Sequence, residues 1–305
     1  MTDDRLNPPF PISEDGKWGY IDKKGKAVIS PQFDDGWRFS EGLAPVRIGD
    51  KWGYVDRKGK IAINPQFDVA WDFSEGLAPV KIGGKWGYVD RKGKMAIELR
   101  FDDAWRFSEG MARIKVGVKW GYINRKGRTV IEPQFDGAWN FSEGLAPVKT
   151  GKTWGYIDRK GRIVINPQFD FAWAFSRGLA LVRLSGMYGY IDRRGRVVID
   201  LQFGDAWRFS EGLAPVKIGD KWGYIDRKGR IIINPQFDGA WDFSEGLARV
   251  ESGGKWGYVD KKGVKVISPR FQDASDFSKG VARTKIGGKW GYIDRSGQYI
   301  WQPTE

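Results

Sequence analysis

The chain has no cysteine and no histidine. Without cysteine there can be no disulfide, no thiolate metal site and no cysteine nucleophile. Without histidine the commonest general base and the commonest metal ligand are both missing. Long apolar runs are also lacking: Met1-Thr2-Asp3-Asp4-Arg5 has no signal-peptide core, and no later stretch approaches membrane-spanning length. These absences lead to the expectation of a soluble, cytoplasmic protein. Nothing resembles a linker, a low-complexity tract or an appended catalytic domain. What the chain has in excess is aromatic residues, at 15%, and positive charge, with 51 Lys and Arg against 38 Asp and Glu for a net +13. Such a balance suits anionic partners, whether nucleic acid, acidic lipid or an acidic protein surface.

One motif recurs throughout. A Trp-Gly pair begins at Trp18, Trp52, Trp86, Trp120, Trp154, Trp222, Trp256 and Trp290, and Tyr188-Gly189 fills the one vacancy, so that every interval is 34 residues. A fixed period of this length is the signature of a repeat architecture. The whole chain, 1–305, therefore reads as a single array of nine units starting near residues 10, 43, 77, 111, 145, 179, 213, 247 and 281.

In the unit from Leu213 to Gly246, Leu213 to Ile218 reads as a first strand and Gly219-Asp220 as a tight turn. Lys221 to Ile225 is a second strand. Asp226-Arg227-Lys228-Gly229 makes a turn that Asp opens and Gly closes with positive φ. Arg230 to Asn234 is a third strand, stopped by Pro235, which has no N–H to give a ladder. Short loops make the three strands an antiparallel meander. In the connector, Asp238 is an N-cap candidate and Gly246 a C′ glycine, which predicts a one- to two-turn helix or compact loop. Pro215 places the first strand at an edge. The expected fold is all-β: stacked three-stranded meanders with short helical connectors, forming an open solenoid or superhelix. The alternative is a closed propeller-like ring, disfavoured because the last unit already has three strands. At the other end, Asn7-Pro8-Pro9-Phe10 resembles the Asn-Pro-Gln-Phe of later units, and Phe10 to Ser13 stands in for a first strand.

Nearly every large aromatic occupies a repeat-equivalent position. Trp52, Trp86, Trp120, Trp154, Trp222 and Trp256 are assigned to structural core. So are the connector residues Trp37, Trp71, Trp105, Trp139, Trp173, Trp207 and Trp241, the other reading being a ladder that stacks sugars or bases. Asp22, Asp56, Asp90, Asp158, Asp192, Asp226, Asp260 and Asp294 open the hairpin turns, with Asn124 substituting once. Asn keeps the acceptor and loses the charge, which fits turn capping and argues against acid–base or metal chemistry. The Ser-Glu-Gly glutamates give way to Arg177 and Lys279, as solvated surface groups would. No inserted loop or non-equivalent cluster breaks the symmetry. No catalytic, cofactor-binding or metal-ligating residue is therefore assigned, and no enzyme is expected.

The recurring Lys-Trp-Gly-Tyr-Ile-Asp-x-x-Gly-Lys, then Pro-Gln-Phe-Asp, then Phe-Ser-Glu-Gly-Leu-Ala, resembles the bacterial WG-repeat family, also called KWG repeats, over about residues 10–301. The resemblance implies a tandem β-repeat protein that binds other macromolecules. It brings no catalytic residues.

The one concentrated chemical signal is basic. Arg57 and Lys58, Arg91 and Lys92, Arg125 and Lys126, Arg159 and Lys160, Arg193 and Arg194, and Arg227 and Lys228 occupy equivalent hairpin tips, which stacking would line along one edge. They are the candidate contacts for an anionic partner. Simple solvation of turns, with local pairing to the Ser-Glu-Gly glutamates, is the competing reading. The expected function is a non-catalytic scaffold holding acidic partner proteins in an assembly. Sequence-nonspecific binding of nucleic acid or another polyanion is the alternative. No cofactor, membrane span or small-molecule substrate is inferred.

Overall fold

The computed structural model describes residues 9–304. The Asn7-Pro8 part of the first-unit motif lies outside them. The chain forms 35 strands and, among the described residues, no helix. The strands make nine antiparallel sheets, one of three strands and eight of four, and neighbours in each sheet are consecutive in the chain. Two compact units are distinguished, Met1–Gly151 with Ile157–Arg162, and Lys152–Tyr156 with Ile163–Thr304, and the same sheet recurs in each.

One sheet shows why these residues fold as they do. Its strands are Asp205–Ala206, Leu213–Ile218, Lys221–Asp226 and Ile231–Phe237. The two-residue Gly219-Asp220 loop sets Ile218 opposite Lys221, and the register continues to Leu213 opposite Asp226. At the next turn the Asp226 carboxylate accepts from the backbone N–H groups of Lys228 and Arg230, at 2.9 and 3.0 Å. Asn124 does the same for Lys126 and Arg128, so the acceptor matters here and the charge does not. The glycine of the Trp-Gly signature has a steric cause. A Cβ on Gly223 would sit 2.5 Å from the Ile233 carbonyl oxygen and 2.7 Å from the Pro235 nitrogen. The fourth strand crosses this point with a register shift between Trp222 and Tyr224, and only glycine leaves room for it.

Hydrophobic cores lie between sheets, not within them. Leu213, Trp222, Tyr224, Ile233 and Phe237 of one repeat pack with Ala240, Phe243, Ala248, Val250 and Val259 of the next. Each large apolar side chain buried there contributes about 1.5–3 kcal/mol, and no repeat can collect that alone. Hydrogen bonds cross the same gap: the Ser210 hydroxyl donates to the Phe243 carbonyl and that of Ser74 to Phe107.

Three sequence-based expectations are corrected. The units are four-stranded, because the connector contributes the first strand of the following sheet, as in Asp205 pairing with Lys217 and Ala206 with Val216. The connector is not helical. Ser210 and Leu213 exchange backbone hydrogen bonds across Glu211-Gly212, and both turn residues have positive φ, 51° and 93°. That is the two-residue turn that joins twisted strands; the glycine mistaken for a helix C′ residue closes a hairpin. Nor is the array an open solenoid. Its four-stranded units are blades, and the fold is a nine-bladed β-propeller. The count of three strands in the last unit misled, since with Asp273–Ala274 that sheet has four, while the first sheet has three.

Candidate functional site

The twelve candidate cations split into two classes. Gly229, at the tip, packs against the Ile199 side chain of the preceding sheet, as Gly93 does against Ile63, so each turn stands beside the sheet before it. From there the first cation of most tips reaches back to a Glu-Gly turn or, at Arg177-Gly178, to its equivalent. Arg159 meets the Glu109 carboxylate at 2.9 Å, and Arg227 donates to the Arg177 carbonyl. Lys261 and Arg295 do the same at Glu211 and Glu245, and the Arg91 and Arg125 guanidinia lie beside Gly42 and Gly76. Arg57 is half-buried, and Arg193 departs from the pattern, being exposed with no side-chain ion pair to a described residue. Lys58, Lys92, Lys126, Lys160, Arg194 and Lys228 are different. All six are exposed, and their side chains form no ion pair with a described residue.

The glutamates of the Glu-Gly turns are more than solvated groups. Glu109 accepts from the backbone N–H groups of Glu143 and Gly144 in the next turn, at 2.6 and 2.9 Å, and Glu75 and Glu211 cap Gly110 and Gly246 likewise. Burial works to raise the Glu109 pKa, yet these bonds and Arg159 hold it below the usual range. Acidic pairs on the opposite hairpin are also engaged. Asp102 takes Lys85 at 2.7 Å and the Gly117 N–H at 2.6 Å, and Asp34 takes Lys17 and the Gly49 N–H; in both, the lysine bond leads in lowering the carboxyl pKa.

The tryptophans also split. Trp86, Trp154 and Trp222 are buried, while Trp52, Trp120 and Trp256 are half-buried. The connector tryptophans form rows whose faces reach solvent: Trp37 is 39% exposed, Trp105 37% and Trp139 38%. Trp37 and Trp71 meet edge-on with centroids 5.0 Å apart, and Trp71 and Trp105 are nearly parallel at 6.0 Å. In the second unit Trp207 and Trp241 stack at 4.7 Å. The residue after the ring varies from repeat to repeat and is polar in all but Ala174. Asp72 stands 3.6 Å from Arg106, and burial pushes its carboxyl pKa up against the pull of Arg106 and Arg38. Asp242 is bonded to Arg208 at 2.9 Å, and burial raises it too.

Sequence reasoning missed one further group. Where four repeats have Leu-Ala-Pro, three others place Arg113, Arg249 and Arg283 at the proline position. Arg113 is buried, its guanidinium 4.1 Å from the Trp105 ring and 5.0 Å from Trp139, and it donates to the Ala138 carbonyl. Burial lowers its pKa to about 10. The broken Leu-Ala-Pro pattern was the available signal. Among the described residues no three Asp, Glu, His or Cys side chains gather as a metal site would require.

The model of a family described as WG containing repeat matches eight successive segments, 18–52, 52–86, 86–120, 120–154, 154–188, 188–222, 222–256 and 256–290. No curated protein matches. Among solved structures, a eukaryotic initiation factor is similar over 98% of both chains, with a TM-score of 0.68 at 10% identity. BamB from Moraxella catarrhalis is similar over 87% of this chain and 95% of its own, with a TM-score of 0.50 at 14% identity. The dihydro-heme d1 dehydrogenase NirN has the same score at 12% identity, over 87% and 73%. At such identities the likeness concerns the fold alone.

Proposed function

The chain belongs to the family of WG-containing repeat proteins, and from that premise we propose that it is a non-catalytic scaffold whose basic turns hold an acidic partner protein. One observation carries the reading. Each repeat from the second to the seventh presents a cation at the same tip position, Lys58, Lys92, Lys126, Lys160, Arg194 and Lys228, exposed and outside any ion pair with a described residue. Repetition without a counter-charge is what an external anion would use.

Beside these tips the fourth strands expose aliphatic side chains, Ile163 at 56%, Val197 at 49% and Ile231 at 49%. A protein interface needs apolar contact as well as charge, and this adjacency favours an acidic protein. A second reading, sequence-nonspecific binding of nucleic acid or another polyanion, is supported by a different fact. Glu109 and Glu211, which share that end of the sheets, are already bound by cations and backbone N–H groups, so they would repel a phosphate backbone weakly.

The experiment is to purify the chain with its cellular partners, then change all six second-position cations to Glu. Loss of an acidic protein from the captured set, with binding that falls steeply as salt rises, supports the scaffold. Retention of that partner at full affinity overturns it. If the wild type instead retains duplex DNA of any sequence at physiological salt, the polyanion reading replaces it.

A further inference from the structure

The connector tryptophans of the first unit enclose a small pocket lined by Trp37, Trp71, Asp72, Trp105 and Arg106, with a volume of about 120 Å³. We propose that this pocket is a saccharide site. A neutral sugar ring lies against an exposed indole face, and its hydroxyls bridge Asp72 and Arg106.

The walls determine how a ligand can approach. Trp71 and Trp105 are nearly parallel with centroids 6.0 Å apart. A flat ring between them would need roughly 7 Å, twice a carbon–carbon contact, so intercalation of a base is disfavoured. Trp37 stands at 88° to Trp71, leaving an angled apolar corner that suits a puckered ring with a C–H face. Such aromatic surfaces contribute contact area at little cost in side-chain freedom.

The polar lining selects further. Asp72 Oδ1 is buried and has no hydrogen-bond partner among the described residues, an acceptor whose desolvation is uncompensated. Asp72 Oδ2 lies 3.6 Å from the Arg106 guanidinium, beyond hydrogen-bond distance. An acceptor and a donor held apart in this way are served together by a hydroxyl, which can both donate and accept. A cationic ligand fits less well, because Arg38 and Arg106 both act on Asp72 and the three charges sum to +1.

In the second unit Trp207 and Trp241 stack at 4.7 Å, and Arg208 hydrogen-bonds Asp242 Oδ2 at 2.9 Å, while Asp242 Oδ1 is buried without a hydrogen-bond partner among the described residues. That aspartate differs from Asp72 in its direct bond to an arginine and serves as the comparison. Isothermal titration of the whole chain with cellotetraose, chitotetraose and maltotetraose is the test, with AMP and tetramethylammonium as competing chemistries. At least one oligosaccharide should bind and perturb tryptophan fluorescence. Asp72→Leu, which keeps the branched shape and removes both acceptors, should weaken that binding about tenfold or more, as should Trp105→Ala. Asp242→Leu should leave it unchanged. If Trp105→Ala does not fold, Asp72→Leu decides. Failure of all three sugars to bind overturns the proposal. So does sugar binding that survives Asp72→Leu, or binding of AMP or tetramethylammonium that Asp72→Leu abolishes.

Discussion

The hydroxyl of Tyr190 donates a 2.6 Å hydrogen bond to the backbone carbonyl of Trp207, and that bond explains a proline inside a strand. Trp207 donates its own N–H to the Pro215 carbonyl, but Pro215 has no N–H to return. The Trp207 carbonyl would be stranded without the tyrosine, which comes from the preceding sheet. The bond recurs from Tyr20, Tyr54 and Tyr122 to Trp37, Trp71 and Trp139, each facing a proline. It therefore ties neighbouring sheets through a backbone group that the sheet itself cannot satisfy.

Tyr190→Phe should accordingly destabilise the protein by about 1–3 kcal/mol, the cost of leaving a buried acceptor unpaired. Tyr156→Phe should cost less. Its acceptor, the Trp173 carbonyl, lies opposite Leu181, whose N–H can move in to replace the lost donor. Urea denaturation of the two variants makes the comparison. Equal losses would mean that the proline has no part in the effect.

Burial ranks the hairpin tryptophans, and position in the array does not. Trp222→Ala should cost about 3–5 kcal/mol, as emptying an aromatic core site does, and Trp86→Ala and Trp154→Ala should match it. Trp52, Trp120 and Trp256 are half-buried although they belong to internal repeats, and their alanine variants should cost clearly less. Thermal melts of the six single variants would show either two groups or none.

Much of this was legible beforehand, for physical reasons that differ from part to part. The hairpin from Trp222 to Arg230 is specified by local chemistry: an Asx turn at Asp226 and a glycine at Gly229. The strand character of the connector was not legible. Asp238 followed by Gly246 satisfies the helix-cap pattern as well as it does a hairpin, and only pairing of Gly239 and Ala240 with Glu251 and Val250 of the next repeat decides between them. The solvent-facing tryptophan rows were hidden for a similar reason. Periodicity marks Trp71 and Trp105 as equivalent to each other, but which face they occupy depends on how successive sheets pack. Asp72, by contrast, was readable as a break, since the residue after the connector tryptophan varies through Arg38, Asp72, Arg106 and Asn140.

Acid should loosen the Glu-Gly turns. The Glu109 pKa is lower in the folded chain than its ordinary value, because backbone N–H groups and Arg159 outweigh the effect of burial. A depressed carboxyl pKa means that the unfolded chain binds more protons, so the stabilisation is present above the usual Glu range. It is lost as pH falls from about 4.5 through the folded value. Stability measured between about pH 6 and pH 3 should therefore fall less steeply in Glu109→Gln than in the parent. Parallel curves would show that Glu109 titrates normally.

The two cations of one tip should respond in opposite ways to the same change. Arg159 holds the Glu109 carboxylate at 2.9 Å, and that carboxylate also caps the next turn at Glu143 and Gly144. Arg159→Glu would set like charges together at this junction. It should cost on the order of 1 kcal/mol, since one exposed ion pair is worth little but its reversal also disturbs two caps. Lys160 contributes only its backbone N–H, to Asp158 at 2.9 Å, and Lys160→Glu keeps that bond. Its stability should stay within about ±0.5 kcal/mol of the parent. Binding should reverse the order. Lys160→Glu, combined with the equivalent changes at Lys126 and Arg194, should weaken capture of an anionic partner without moving the melting temperature. Arg159→Glu should lower the melting temperature and weaken capture less. If the Lys160 set unfolds the chain, or if only Arg159→Glu affects capture, the division of each tip into a structural and a free cation is wrong.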